Sequence, residues 1–155
     1  MENIFSLYHD VIVFVHVVSA IVWVGGMIAI RFAVHYATAN IKDPTTKLGI
    51  NLEMLKRFFN IVIICIFILL ISAIVMSFSF KATQLYQTVI QKEIVWTIMT
   101  INFVYIYILR YQAQKMYDKK DYVKTKQKLS PISQLFIPIN IVLGLVAAYL
   151  GISLR

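Results

Sequence analysis

The chain has 155 residues, of which 60% are hydrophobic and 14% charged, and its net charge is +8. Soluble domains carry about 25% charged residues, so this composition excludes an ordinary soluble fold. The apolar residues also come in blocks, and the basic ones are placed in a way that argues against nucleic acid as the partner.

A helix that crosses a bilayer needs about 20 mostly apolar residues. Four blocks meet that need, at residues 11–30, 61–80, 94–109 with their flanks, and 135–154. With helical extensions they predict spans of about 9–39, 58–80, 91–114 and 131–154 in one integral membrane domain. The expected fold class is all-α, a four-helix transmembrane bundle with both termini outside. The first block is expected to be a span and not a cleaved leader, because Glu2 and Asp10 stand where a basic leading region would be and no small-residue cleavage site follows.

Twelve of the fifteen Lys and Arg residues fall in or beside the first and third connections. They are Arg31, Lys42, Lys47, Lys56 and Arg57, then Arg110, Lys115, Lys119, Lys120, Lys124, Lys126 and Lys128. Cytoplasmic connections carry this bias, so these two are expected to lie inside. The basic face sets topology and meets anionic lipid headgroups of the bilayer, and no nucleic-acid partner is expected.

In chain order, the first helix is expected to end near Asn40, before Lys42-Asp43-Pro44. Gly25, Ala29, Ala33 and Ala37 fall four apart, which predicts a close-packing seam. Trp23 lies mid-span, away from the interfacial belt, and is expected to pack or stack. A polar segment at residues 42–47 leads into the second span, whose Ser72, Ser77 and Ser79 are expected only to bond their own helix carbonyls. The lone Cys65 reads as a small apolar filler. The short outer connection makes spans two and three antiparallel neighbours. Residues 111–130 read as a basic extension of helix three, turning near 128–131, and Pro138 permits a kink in span four. Gly144, Ala147, Ala148 and Gly151 form a second small-residue seam.

Ionisable groups inside a span are costly and mark function by default, which singles out His16. His9 and His16 are seven residues apart, about 10.5 Å along a helix, too far to share one ion. His16 and His35 are about 28 Å apart and belong to opposite faces. A site on one metal therefore needs a second protomer or a non-histidine partner from another span, and a homodimer is the expected assembly. As metal ligands, His16, His35 and His9 are the candidates. Depth counting places Met99 near His16, about 7–10 Å below the outer surface, with Lys92 at the mouth. His35, Arg31, Met54, Arg57 and Arg110 share the inner level. A heme b with His16 as axial ligand, and basic groups near its propionates, fits the outer half. The candidate cofactor-binding residues are His16, Met99, Trp23, Arg31, Arg57 and Arg110; Met99 also fits a plain core gap-filler, and Lys92 a side chain snorkelling to the surface.

The pattern His16, Trp23, Gly25, Gly26, Arg31 resembles helix one of the CopD / HemJ group of small bacterial membrane proteins. Lys56-Arg57-Phe58 before span two and Lys92 at the start of helix three extend the resemblance across the four-span layout. The resemblance implies a multi-pass protein of the bacterial inner membrane, with His16 as heme ligand and Lys92 as an essential, catalytic lysine. The sequence departs from the HemJ pattern at Ile30, at His35-Tyr36, and at Arg110 and Gln112; its WVGG form is nearer the CopD side. The expected function is a heme b-binding membrane protein with a redox role, either electron transfer to a partner in the membrane or HemJ-like porphyrinogen oxidation. The rivals are CopD-like copper handling, which needs soft sulfur or imidazole ligands where Met27, Met76 and Met99 are scattered, and a non-catalytic membrane assembly subunit.

Overall fold

A computed structural model describes residues 2–80 and 86–153, with the side chains of residues 2–6, 35 and 78–80 outside that description. Among the described residues there is helix and no strand. The first span is α1 (Glu2–Ala29), kinked at Tyr8, followed by a π-helical turn π1 (Ile30–Val34) and a last turn α2 (His35–Ala37). Then come α3 (Pro44–Phe80) and α4 (Tyr86–Asp118). The fourth span is α5 (Tyr122–Pro131), a second π-helical turn π2 (Ile132–Phe136), and α6 (Ile137–Ile152). Four stretches are long and apolar enough to cross a membrane: Leu7–Val34, Pro44–Ser77, Tyr86–Asp118 and Tyr122–Ile152. The chain is an all-α four-helix bundle of the multi-pass membrane kind.

Helix starts and stops follow local chemistry. α3 begins at Pro44, ahead of the apolar span expected from residue 58, because the preceding polar segment is a cap. The Asp43 carboxylate accepts from the Thr45 and Thr46 amides at 3.2 and 2.9 Å and from the Thr46 hydroxyl, satisfying donors that a helix start leaves open. These three bonds hold the Asp43 carboxyl below the usual carboxylate range, the Thr46 hydroxyl contributing most. The extension of α4 also stops about ten residues earlier than expected. Lys120 adopts φ 60°, its amide donates to the Tyr117 carbonyl, and the Asp121 amide donates to the Met116 carbonyl. That is a Schellman stop with lysine where glycine is usual. Asp121 then caps α5 through the Lys124 amide, 3.1 Å away. Pro131 does not end the helix; the chain passes through π2 into α6, where Pro138 lacks the N–H that would continue the backbone ladder.

The spans close a ring in the order α1, α3, α4, α6 and back to α1. Trp23, Met27, Phe59, Phe103 and Ile106 fill its centre. Trp23 meets Phe103 edge-on at a 6.0 Å centroid separation, the packing role its mid-span position predicts, and Phe59 meets Phe103 at 5.3 Å. Ile21, Phe67, Ile71, Ile101, Val142 and Tyr149 point outward, between 61% and 71% exposed, as a surface made for lipid requires. Cys65 is buried, in line with its reading as filler.

Close helix approach occurs at Gly26 and Gly144, and not along the Gly25–Ala37 stripe. A Cβ on Gly26 would enter the Phe58 ring, and one on Gly144 would come within 2.5 Å of Val24 Cγ2 and 3.4 Å of Met99 Cε. Around Gly25 nothing lies within 4 Å, and Ala29, Ala33 and Ala37 are exposed. The inward face of α1 is set by Ser19, Trp23 and Met27. Gly25 lies two residues, about 200°, round the helix from Trp23. Of the second seam, Gly144 makes a close approach, while Gly151 meets only the end of the Lys92 side chain and Ala148 is exposed.

Candidate polar site at the outer end of the bundle

Ser72 is the group that organises this site. Its hydroxyl lies 2.7 Å from the Ile68 carbonyl and 3.1 Å from the Leu69 carbonyl of its own helix, and 2.7 Å from His16 Nδ1. A hydroxyl has one proton, and carbonyls only accept. With that proton donated to the helix, Ser72 Oγ must accept from His16, which places a proton on Nδ1 and leaves the Nε2 lone pair uncommitted. This is the arrangement by which an outer hydrogen bond fixes the tautomer and orientation of a ligating histidine.

Lys92 enters from α4, half-buried, with its ammonium over Gly151 of α6, where an added Cβ would lie 3.3 Å from Nζ. Among the described residues it forms no ion pair. Two further donors lie below: the indole N–H groups of Trp96, one turn along from Lys92, and of Trp23, two turns along from His16. Both are buried without an acceptor among the described residues. The end of the bundle thus holds an uncommitted imidazole nitrogen and a cation, with two orphaned donors beneath.

The other expected residues are dispersed. Met99 is buried in the core and touches the Gly144 position together with Val24, eight residues beyond His16, or about 12 Å deeper. The depth count therefore put Met99 too near the outer end, since its side chain packs at the level of Val24 and Gly144. Arg31 lines a cavity at the basic end, fifteen residues and about 22 Å along α1. Arg57 is exposed and paired with Glu53 at 2.8 Å. Arg110 is buried, donating to the Leu52 carbonyl at 3.3 Å and to Gln114 at 2.9 Å, so it ties α4 to α3. None of these three arginines stands beside His16. His9 is exposed against Asp10 at 2.9 Å, and the His35 side chain lies outside the described residues. Among the described residues no three His, Cys, Asp or Glu side chains come together.

Sequence reasoning missed two features. Ser72 does bond its own helix as expected, but it also receives His16; counting depth along the second span as well as the third would have paired them. Asn102 and Asn140 were the second omission. Asn102 donates to the Asn140 side chain at 2.8 Å and to the Phe136 carbonyl in π2 at 3.0 Å, while Asn140 donates to the Met99 carbonyl at 3.3 Å. This network pins the proline-containing span to α4 at the level where its backbone is irregular.

In comparisons with known proteins, no family model, no curated protein and no solved structure matches the chain.

Proposed function

We propose that the protein is a heme b-binding, multi-pass protein of the bacterial plasma membrane with a redox role, and that His16 Nε2 is an axial ligand. The observation that carries this reading is the His16–Ser72 pair at 2.7 Å, which leaves Nε2 available on a histidine inside a span. The pattern of His16, Trp23, Gly25, Gly26 and Arg31, similar to that of CopD / HemJ proteins, supports it independently.

When bound, heme b supplies a one-electron iron couple whose potential depends on its axial ligands and surroundings. The chain's own part is to hold and bias that group. Ser72 keeps the imidazole in one tautomer and one rotation. Lys92 places a positive charge beside it, which favours an anionic substituent or substrate and disfavours loss of an electron from the site. The orphaned Trp96 and Trp23 N–H groups offer neutral donors. Met99 lies too deep to act beside His16, so a second ligand to the group would come from a second protomer or from outside the chain. A homodimer in which the outer ends meet satisfies this. The basic connections face the cytoplasm and the termini face outward. Electron transfer to a membrane partner and porphyrinogen oxidation assisted by Lys92 both use this site.

The test is the absorption spectrum of detergent-purified full chain from heme-replete cells, oxidised and dithionite-reduced. A Soret band that sharpens and shifts on reduction is expected. A colourless preparation overturns the reading, and copper bound without a Soret band transfers it to copper handling.

A further inference from the structure

The basic end of the bundle holds a cavity of about 460 Å3. It lies between the end of the first span, the start of α3 and the α5–π2 corner. Arg31, Lys42, Lys47 and Lys126 line it, and no acidic side chain among the described residues does. The nearest carboxylates by sequence are committed elsewhere: Asp43 to the start of α3, and Glu53 to Arg57. Beneath the cations the wall is apolar, formed by residues such as Leu48, Leu129 and Ile132.

Both π-helical turns among the described residues border this one space, through Ile30, Arg31 and Val34 on one side and Ile132, Ser133 and Gln134 on the other. Such turns insert an extra residue into a helix and recur at functional sites. Two of them, on different spans, meeting at one cavity is unlike a packing defect. Four cations over an apolar floor, at the level where a span leaves the hydrocarbon, match one chemistry: a phosphate headgroup with an acyl chain below it.

We propose that this cavity is a binding site for an anionic phospholipid of the leaflet that the basic end faces, with the phosphate held by Arg31, Lys47 and Lys126 and the chain against the apolar wall. The site is independent of the proposed heme, since it lies about 22 Å from His16 along α1.

The test is lipid titration of the full-length protein followed by native mass spectrometry. The probes are dioleoylphosphatidylglycerol, dioleoylphosphatidylcholine and inorganic phosphate. Phosphatidylglycerol should bind at least tenfold more tightly than phosphatidylcholine. Each cation near a lipid surface contributes about fivefold in affinity, so Arg31→Gln with Lys47→Gln should weaken phosphatidylglycerol about thirtyfold. Lys126→Gln alone, on the exposed rim, should weaken it about fivefold and keeps the test open if the double variant misfolds. Lys119→Gln with Lys120→Gln, the same charge change outside the cavity, should leave the preference intact. Equal binding of the two lipids, or an equal loss in the Lys119/Lys120 variant, overturns the site. Inorganic phosphate displacing phosphatidylglycerol at matched concentrations overturns the lipid and identifies a water-soluble phosphate ligand.

Discussion

Gly144→Ala is the most demanding single-methyl test of the bundle. The new Cβ would stand 2.5 Å from Val24 Cγ2, 3.1 Å from Val24 Cγ1 and 3.4 Å from Met99 Cε. Carbon atoms pack at about 3.5–4.0 Å, so the nearest contact is short by about 1 Å. Met99 can flex, but Val24 is β-branched and held near one rotamer in a helix, so the relief must come from α6 moving away from α1. Overpacking of this kind costs about 1–3 kcal/mol. Spans are already helical before they associate, so the higher helix propensity of alanine gives little in return. Gly25→Ala supplies the control, because nothing lies within 4 Å of its Cβ position, and it should change stability by less than about 0.5 kcal/mol. Val24→Ala should restore part of what Gly144→Ala loses. Reversible unfolding of the full chain in mixed micelles, followed by tryptophan fluorescence, measures all four proteins. If Gly144→Ala is as stable as Gly25→Ala, or if Val24→Ala adds to the loss, α6 does not pack on α1 through Gly144.

Asn140→Leu removes two interhelical bonds, to Asn102 and to the Met99 carbonyl. At about 0.6 kcal/mol per bond it should destabilise by about 1 kcal/mol in the same unfolding assay, and adding Asn102→Leu should produce less than the sum of the two single changes. Ser72→Ala frees the His16 ring and should lower heme affinity about 10–100-fold, read by heme titration of the apoprotein, while Ser77→Ala, whose hydroxyl donates to the Ile74 carbonyl of its own helix, should leave it unchanged. The pH response of the α3 start follows from Asp43. Its folded pKa is depressed, so its contribution is complete above the ordinary carboxylate value and is lost as pH falls through the lowered one. Amide exchange at Thr45 and Thr46 should therefore speed up, relative to the intrinsic rate, only below about pH 4. In Asp43→Asn that acid-dependent step should vanish.

The fold was legible because hydrocarbon leaves so few options. Backbone groups in lipid must bond internally, so four long apolar blocks mean four helices. What the apolar pattern did not encode was rotation about each helix axis. The mean apolarity is nearly uniform around these spans, and the Gly25–Ala37 stripe therefore looked like a seam although Trp23 and Met27 turn it outward. Helix ends were least legible where one capping side chain decides them: Asp43 caps the start of α3, and Asp121 starts a new helix after Lys120 has turned the chain. At the candidate site, His16 stood out by its cost, and Lys92 by its position at the start of helix three. Ser72 did not stand out, because a serine bonded to its own helix looks the same in sequence whether or not another helix brings it a donor. The inner cavity was equally hidden, since nothing in the local composition marks a π-helical turn at Ile30–Val34.

Axial ligation by His16 is tested most directly by chemical rescue. His16→Gly removes the imidazole and leaves space for a free one. The variant purified from heme-replete cells should carry little heme, and heme added with imidazole should restore the Soret band of the parent protein, while His35→Gly should retain its heme without rescue. Full heme occupancy and an unchanged Soret band in His16→Gly would contradict the account.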